Sequence, residues 1–103
     1  MSDEPTHETS DDERYSVIRG RRWRRQDPHT PNDVREALLS HLGRGRSGVR
    51  NSGGAEETAR HRSRVNIAKH GLGERGIPWW EQTDGERRAR WESALRDLEA
   101  MDA

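Results

Sequence analysis

The sequence predicts an α+β protein that is mostly α, with an N-terminal β-hairpin packed on about three helices and a disordered acidic arm ahead of it. Three observations carry this reading. "YSVIRGRRWRR", residues 15 to 25, has the composition of two short strands meeting at a glycine turn. Later stretches combine helix-start chemistry with apolar residues at helical spacing. The composition, 27% hydrophobic with four tryptophans and no phenylalanine in 103 residues, allows one small, tryptophan-dependent core and no second one.

Residues 1 to 14, "MSDEPTHETSDDER", contain no large apolar residue after Met1. Such a segment buries too little surface to offset the entropy of ordering, so it is expected to be a disordered arm, with residues 15 to 103 as a single domain. In the hairpin, Gly20 supplies one of the positive-φ positions of a tight turn. Tyr15, Val17 and Ile18 lie on one side of that turn and Trp23 on the other. A hairpin of this size cannot stand alone and needs helices over one face.

"TPNDVREALLSHLG" predicts the first helix, with Thr30 as cap, Pro31 in the first turn, Asp33 completing a capping-box-like pattern and Gly43 as the stop. Its inward stripe is Val34, Leu38 and Leu42, widened by Ala37 and Leu39. "GRGRSGVRNSGG" is expected to be a flexible connection. A second helix is expected from about Ala55 to His70, with Ser52 or the glycines before it and Ala59, Val65, Ala68 and Leu72 inward. "GLGERGIPWWEQ" then forbids regular helix, and one of its adjacent tryptophans is expected to plug the core. In the third helix Thr83 and Glu86 form a capping box, followed by Trp91, Leu95, Leu98 and Met101.

The formal net charge is zero, yet its distribution is uneven. Residues 1 to 13 sum to minus six, residues 14 to 25 to plus six and residues 43 to 64 to plus four. An acidic arm tethered to a basic hairpin either competes with phosphates for the same arginines or serves as a solubilising tail. Arginine outnumbers lysine eighteen to one, a bias that fits either a need for forked donors or a GC-rich genome.

The absence of cysteine excludes disulfides, thiolate metal sites and cysteine nucleophiles. No stretch approaches the roughly 18 apolar residues of a membrane span, and a signal-peptide pattern is missing, so a cytoplasmic protein is expected. His41, His61 and His70 do not fall at metal-binding spacings, and Glu81 and Asp84 precede a helix, where acids favour the positive end of its dipole. Neither a catalytic role nor a cofactor is expected.

The leading candidate is a nucleic-acid surface. Alternation along a strand puts Arg21, Trp23 and Arg25 on one face and Arg22 and Arg24 on the other, with Arg19 at the turn. Interleaved arginine and tryptophan can hold phosphates and stack a base. Equally, Trp23 can be core and the arginines a solvated face whose stems cover apolar surface. Arg44, Arg46 and Arg50 extend the candidate surface through a glycine-rich segment whose amides could approach a phosphate. The bland reading is a connection that happens to be basic. A second candidate, of another class, is a protein-interaction module docking through Trp79, Trp80 and the acidic third helix. Against it stands burial of one tryptophan and partial exposure of the other. DNA or RNA in the first case, or a protein in the second, would be the partner.

"GRRWRRQDP", "HLGRGRSGVR" and "GLGERGIPWWEQ", in that order, resemble a group of small uncharacterised proteins of high-GC bacteria, some of which carry the label of a Tol-type biopolymer transporter. The resemblance covers roughly residues 15 to 100 and implies no activity, cofactor or binding residue. The transporter label fits poorly with a chain that has no membrane segment and is too short for a multi-bladed propeller.

Overall fold

The computed structural model describes residues 11–103. Residues 1–10, most of the expected acidic arm, lie outside them. The end of that arm, read from sequence as unstructured, forms one turn of helix, α1 (Asp11–Arg14), leading directly into the hairpin. Strands β1 (Tyr15–Ile18) and β2 (Arg21–Arg24) pair antiparallel, Tyr15 opposite Arg24 and Ile18 opposite Arg21. The turn falls at Arg19-Gly20 as expected, and both residues hold positive φ, 55° and 79°. Gly20 takes that conformation without steric cost, whereas Arg19 accepts it at a cost of about 1–2 kcal/mol.

Three long helices follow, α2 (Asn32–Asn51), α3 (Ala55–Leu72) and α4 (Asp84–Met101), with a 3-10 turn at Trp79–Glu81 between the last two. The expected mostly helical α+β architecture, with a hairpin ahead of the helices, is therefore the one found. The capping box of α4 is present: the Glu86 amide donates to Thr83 Oγ1 at 3.1 Å, and the Thr83 amide donates to Glu86 Oε1 at 2.9 Å. Helix α3 stops at Gly73, φ 89°, in a Schellman arrangement where the Gly73 amide reaches the His70 carbonyl and the Glu74 amide the Lys69 carbonyl.

The expectations for α2 need correction. Thr30 does not cap it, because its hydroxyl donates instead to the Asp27 carbonyl at 2.9 Å and Pro31 holds the cap position without a side-chain bond. Nor does the helix stop at Gly43. It runs to Asn51, so residues 43–51 of the supposed flexible connection are helix and residues 52–54 alone link it to α3. Each glycine costs a helix about 1 kcal/mol relative to alanine. Packing outweighs that cost here: a Cβ on Gly45 would stand 2.7 Å from Val65 Cγ2, and one on Gly48 would strike the His61 ring. The glycines let α3 lie close along α2. With His61 seated against Gly48, Ala59 points about 200° away around the helix and is exposed, against its expected inward position.

The apolar core sits among the three long helices: Leu38 and Leu42 from α2, Ala68 and Leu72 from α3, Trp91, Ala94 and Leu98 from α4. Gly71 admits Leu38 and Ala94 to the same layer. Trp79 lies outside this cluster yet is only 1% exposed. It closes a second, polar junction centred on Asp27, also 1% exposed. Arg90 Nη2 donates to Asp27 Oδ2 at 2.8 Å, and Arg87 Nη1 stands 3.6 Å from Oδ1. Among their other donors, Arg87 Nε reaches the Trp79 carbonyl at 2.8 Å and Arg90 Nε the Gly71 carbonyl at 3.3 Å, while Arg90 Nη1 donates to Gln82 Oε1 and Arg87 Nη1 to His29 Nδ1. The Asp27 amide donates to the Leu72 carbonyl at 2.8 Å, and Trp79 Nε1 to the Arg25 carbonyl at 2.9 Å. The hairpin exit, the end of α3, the 3-10 turn and α4 thus meet at one carboxylate.

At the other end of the bundle, His41 is buried against two guanidiniums. Arg44 Nη2 and Arg64 Nη1 each lie 2.8 Å from His41 Nδ1, and Asp102 bridges them, Oδ1 to Arg64 at 2.7 Å and Oδ2 to Arg44 at 3.4 Å. Guanidinium groups only donate, so Nδ1 must accept, a role closed to a protonated ring. Burial holds His41 below the usual histidine range, Arg44 and Arg64 push it further, and Asp102 and Glu99 oppose them. The Arg64 hydrogen bond holds Asp102 below the usual carboxylate range.

Two outcomes follow from these clusters. Asp27→Ala strands two largely buried arginines and is expected to cost about 3–5 kcal/mol, read as a lower denaturation midpoint at constant slope; an unchanged midpoint would remove the junction from the stability of the fold. Acidification should also destabilise the protein as pH falls below about 6.5, because the unfolded chain then binds the His41 proton and the folded chain does not. In His41→Gln, which accepts a hydrogen bond without titrating, the stability lost between neutral and acidic pH should be smaller. An equal loss in both proteins would show that His41 is not the responsible group.

Candidate functional site

The two faces of the hairpin have different fates. On the first, the cross-strand pairs Tyr15–Arg24 and Val17–Arg22 look toward the tryptophan turn. Tyr15 meets Trp80 edge-on at 5.5 Å between ring centroids, and Trp79 meets Trp80 at 5.0 Å. Arg14 and Arg24 lie over the Trp80 ring at 4.9 and 5.8 Å, Arg22 lies 3.9 Å over Tyr15, and Arg24 Nη1 donates to the Gly76 carbonyl at 2.9 Å. This face anchors the hairpin by cation–π contacts and a main-chain bond.

The second face carries Ser16, Ile18, Arg21 and Trp23. It forms one wall of an open cleft of about 1100 Å³. The opposite wall comes from α2, with Asn32, Arg35 and Arg46, and from the end of α3, with Lys69 and Glu74; Gln26 and Asp27 lie between. Arg21 lies over the Trp23 ring at 4.9 Å. Trp23 is 44% exposed and Ile18 56%, so neither belongs to the core, and the reading of Trp23 as a core residue is corrected. An indole left this open forgoes roughly 2 kcal/mol of burial. The reason is geometric: Tyr15 and Trp80 already occupy the contact between hairpin and body, and alternation turns Trp23 the other way.

Seven basic side chains line the cleft, Arg19, Arg21, Arg24, Arg25, Arg35, Arg46 and Lys69, against the carboxylates of Asp27 and Glu74. Asp27 is already matched by Arg90 and Arg87. Glu74 accepts from Gln26 Nε2 at 2.9 Å, and Gln26 Oε1 in turn accepts from Arg35 Nε at 3.2 Å, which orders the cleft floor. Burial holds Lys69 below the usual lysine range, Arg75 and Arg46 add repulsion, and Glu74 opposes it. An anion in the cleft would relieve that crowding.

Of the basic and aromatic residues singled out in the sequence, Arg19, Arg21, Trp23, Arg24, Arg25 and Arg46 therefore share one cleft. Arg25 also donates from Nε to the carbonyls of Asp12, at 2.8 Å, and Tyr15, at 3.1 Å, which brings the acidic α1 turn beside it. Arg22 is turned onto Tyr15, Arg44 is held on His41 and Asp102, and Arg50 is exposed near the end of α2 outside the cleft. The amide cradle expected at residues 43 to 51 is corrected: those residues are helical, and their amides serve the helix. Trp79 is buried with its indole N–H spent on Arg25, so of the two tryptophans only the partly buried Trp80 is within reach of a partner.

Arg35, Lys69, Asn32 and Glu74 were missed from sequence. For Arg35 the signal lay in α2 itself. Arg35 and Arg46 are eleven residues apart, close to three turns, which puts them on one face about 16 Å apart along the axis. A helix stopping at Gly43 conceals that phase.

Among the described residues, no three of His, Asp and Glu gather closely enough to hold a metal ion, and no helix is long and apolar enough to cross a membrane. The sequence matches no protein-family model, and neither a curated protein nor a solved structure matches it.

Proposed function

We propose that this chain is a small cytoplasmic nucleic-acid-binding protein that holds a phosphate backbone in the cleft between the hairpin and the α2–α3 pair, largely without regard to sequence. Of the seven basic side chains lining the cleft Arg24 is spent on Trp80 and Gly76, and the observation that carries this reading is the concentration of the other six around one concave space where, among the described residues, a single carboxylate is not matched by arginine. A net charge of zero gives little general attraction for polyanions, so binding must act locally, within the roughly 10 Å over which charges are felt at ordinary ionic strength. Arginine forks and a lysine at the rim of an open cleft suit phosphate oxygens, which position a strand and carry no base identity. Docking of a protein through Trp79 and Trp80 is less well supported, because Trp79 is core and an interface anchor must be reachable.

The test replaces Arg21, Arg35 and Arg46 together with glutamine and measures affinity for labelled nucleic acid across a salt series. Each lost phosphate contact should flatten the log–log salt dependence by roughly 0.7–0.9, so the triple variant should lose about two units of slope. Arg60, Arg62 and Arg88, exposed and outside the cleft, replaced in the same way, remove equal charge and should leave the slope near that of the wild type. Equal effects of the two variants would reduce the interaction to net charge and overturn the cleft.

A further inference from the structure

We infer that the occupant of the cleft is an unpaired strand, one base of which stacks on the Trp23 indole. This deepens the phosphate reading above and rests on it. Trp23, 44% exposed, is the most exposed of the four tryptophans, and it lines the same space as the basic side chains rather than a separate surface. Ile18, 56% exposed, lines that wall as well, and Arg21 lies over the indole at 4.9 Å. A guanidinium plane and an indole in one stack form a platform that a base can extend, whatever its identity, since every base has a π-face.

The shape of the site selects against a duplex. In a duplex the bases are stacked on each other and only their edges face outward, so an indole can reach a base face only where the strand is unpaired. The cationic lining of the cleft also comes from two parts of the fold, Arg21 from the hairpin and Arg35, Arg46 and Lys69 from the helices. A single strand has one flexible backbone and can turn successive phosphates toward either part of the lining while a base leaves the chain to stack. A rigid duplex offers them a convex rod. The hairpin is not free to act as a ribbon in a major groove on both faces, because Tyr15 and Arg24 hold its other face against Trp80 and Gly76.

The experiment measures anisotropy of fluorescein-labelled oligothymidylate, oligouridylate and a duplex of the same length with the full-length wild type, Trp23→Ala, Trp23→Tyr and the Arg21/Arg35/Arg46 glutamine variant. Trp23→Ala should bind the single strands roughly 5- to 100-fold more weakly with an unchanged salt slope, as loss of an uncharged stacking partner requires. Trp23→Tyr should recover part of the loss. Because Trp23 is outside the core, both variants should keep the wild-type thermal transition, which verifies that they are folded. Wild type should prefer either single strand to the duplex, and the ratio of thymidylate to uridylate affinity separates DNA from RNA within the same chemistry. If Trp23→Ala binds as the wild type does while the arginine variant loses binding, the stacked base is wrong and the phosphate cleft stands. If the duplex binds as tightly as the single strands, the unpaired strand is wrong. If no variant changes binding, both readings fall together.

Discussion

A single carboxylate holds this small protein in its shape. Asp27 joins the hairpin to everything after it, because its side chain receives Arg90 and faces Arg87 from α4, while its amide is bonded to the last turn of α3. A buried carboxylate with two arginines is tolerable only when the donors and oxygens left over are also matched. Here they are, through Trp79, Gly71 and His29. Gly73 makes the meeting possible, since a Cβ there would stand 3.1 Å from both Asp27 Cβ and Trp79 Cδ1. The arginines at this junction are therefore structural, although nothing in their composition sets them apart from the arginines of the cleft.

The same economy governs the apolar packing. With few aliphatic residues, α2 and α3 gain contact through proximity rather than through side-chain bulk, and Gly45, Gly48 and Gly71 supply that proximity. This choice has a consequence for the site. Continuing α2 through its glycines carries Arg46 onto the face of Arg35, so one packing decision at the α2–α3 contact also builds a wall of the cleft.

Arginine serves three distinct ends here. Arg87 and Arg90 neutralise a buried acid, Arg44 and Arg64 enclose a neutral imidazole with Asp102, and Arg22 and Arg24 cover aromatic rings. What remains around the cleft is cationic charge, in which Lys69 is held below its usual range by burial first and then by repulsion from Arg75 and Arg46. Burial and partner, rather than residue type, separate the groups available to a ligand from those committed to the fold.

The sequence by itself determined the elements whose causes are local. The Arg19-Gly20 turn, the Thr83/Glu86 capping box and the apolar stripe of Trp91, Leu95 and Leu98 each depend on residues a few positions apart, and each is where the spacing places it. Half of the candidate site was legible for the same reason, since strand alternation alone separates Arg21 and Trp23 from Arg22 and Arg24. Tertiary structure decided the rest. Gly43 reads as a helix stop until α3 packs against Gly45 and Gly48, and nothing beside Asp27 in the chain announces Arg87 and Arg90, which reach it from sixty positions away. Trp79 and Trp80 are chemically identical neighbours, and only the packed body determines that one fills the junction while the other bears the hairpin. Local free energies of a fraction of a kcal/mol to about 1 kcal/mol set propensities, but the burial of a ring or the matching of a charge is worth several times more and is settled by residues far apart in the chain.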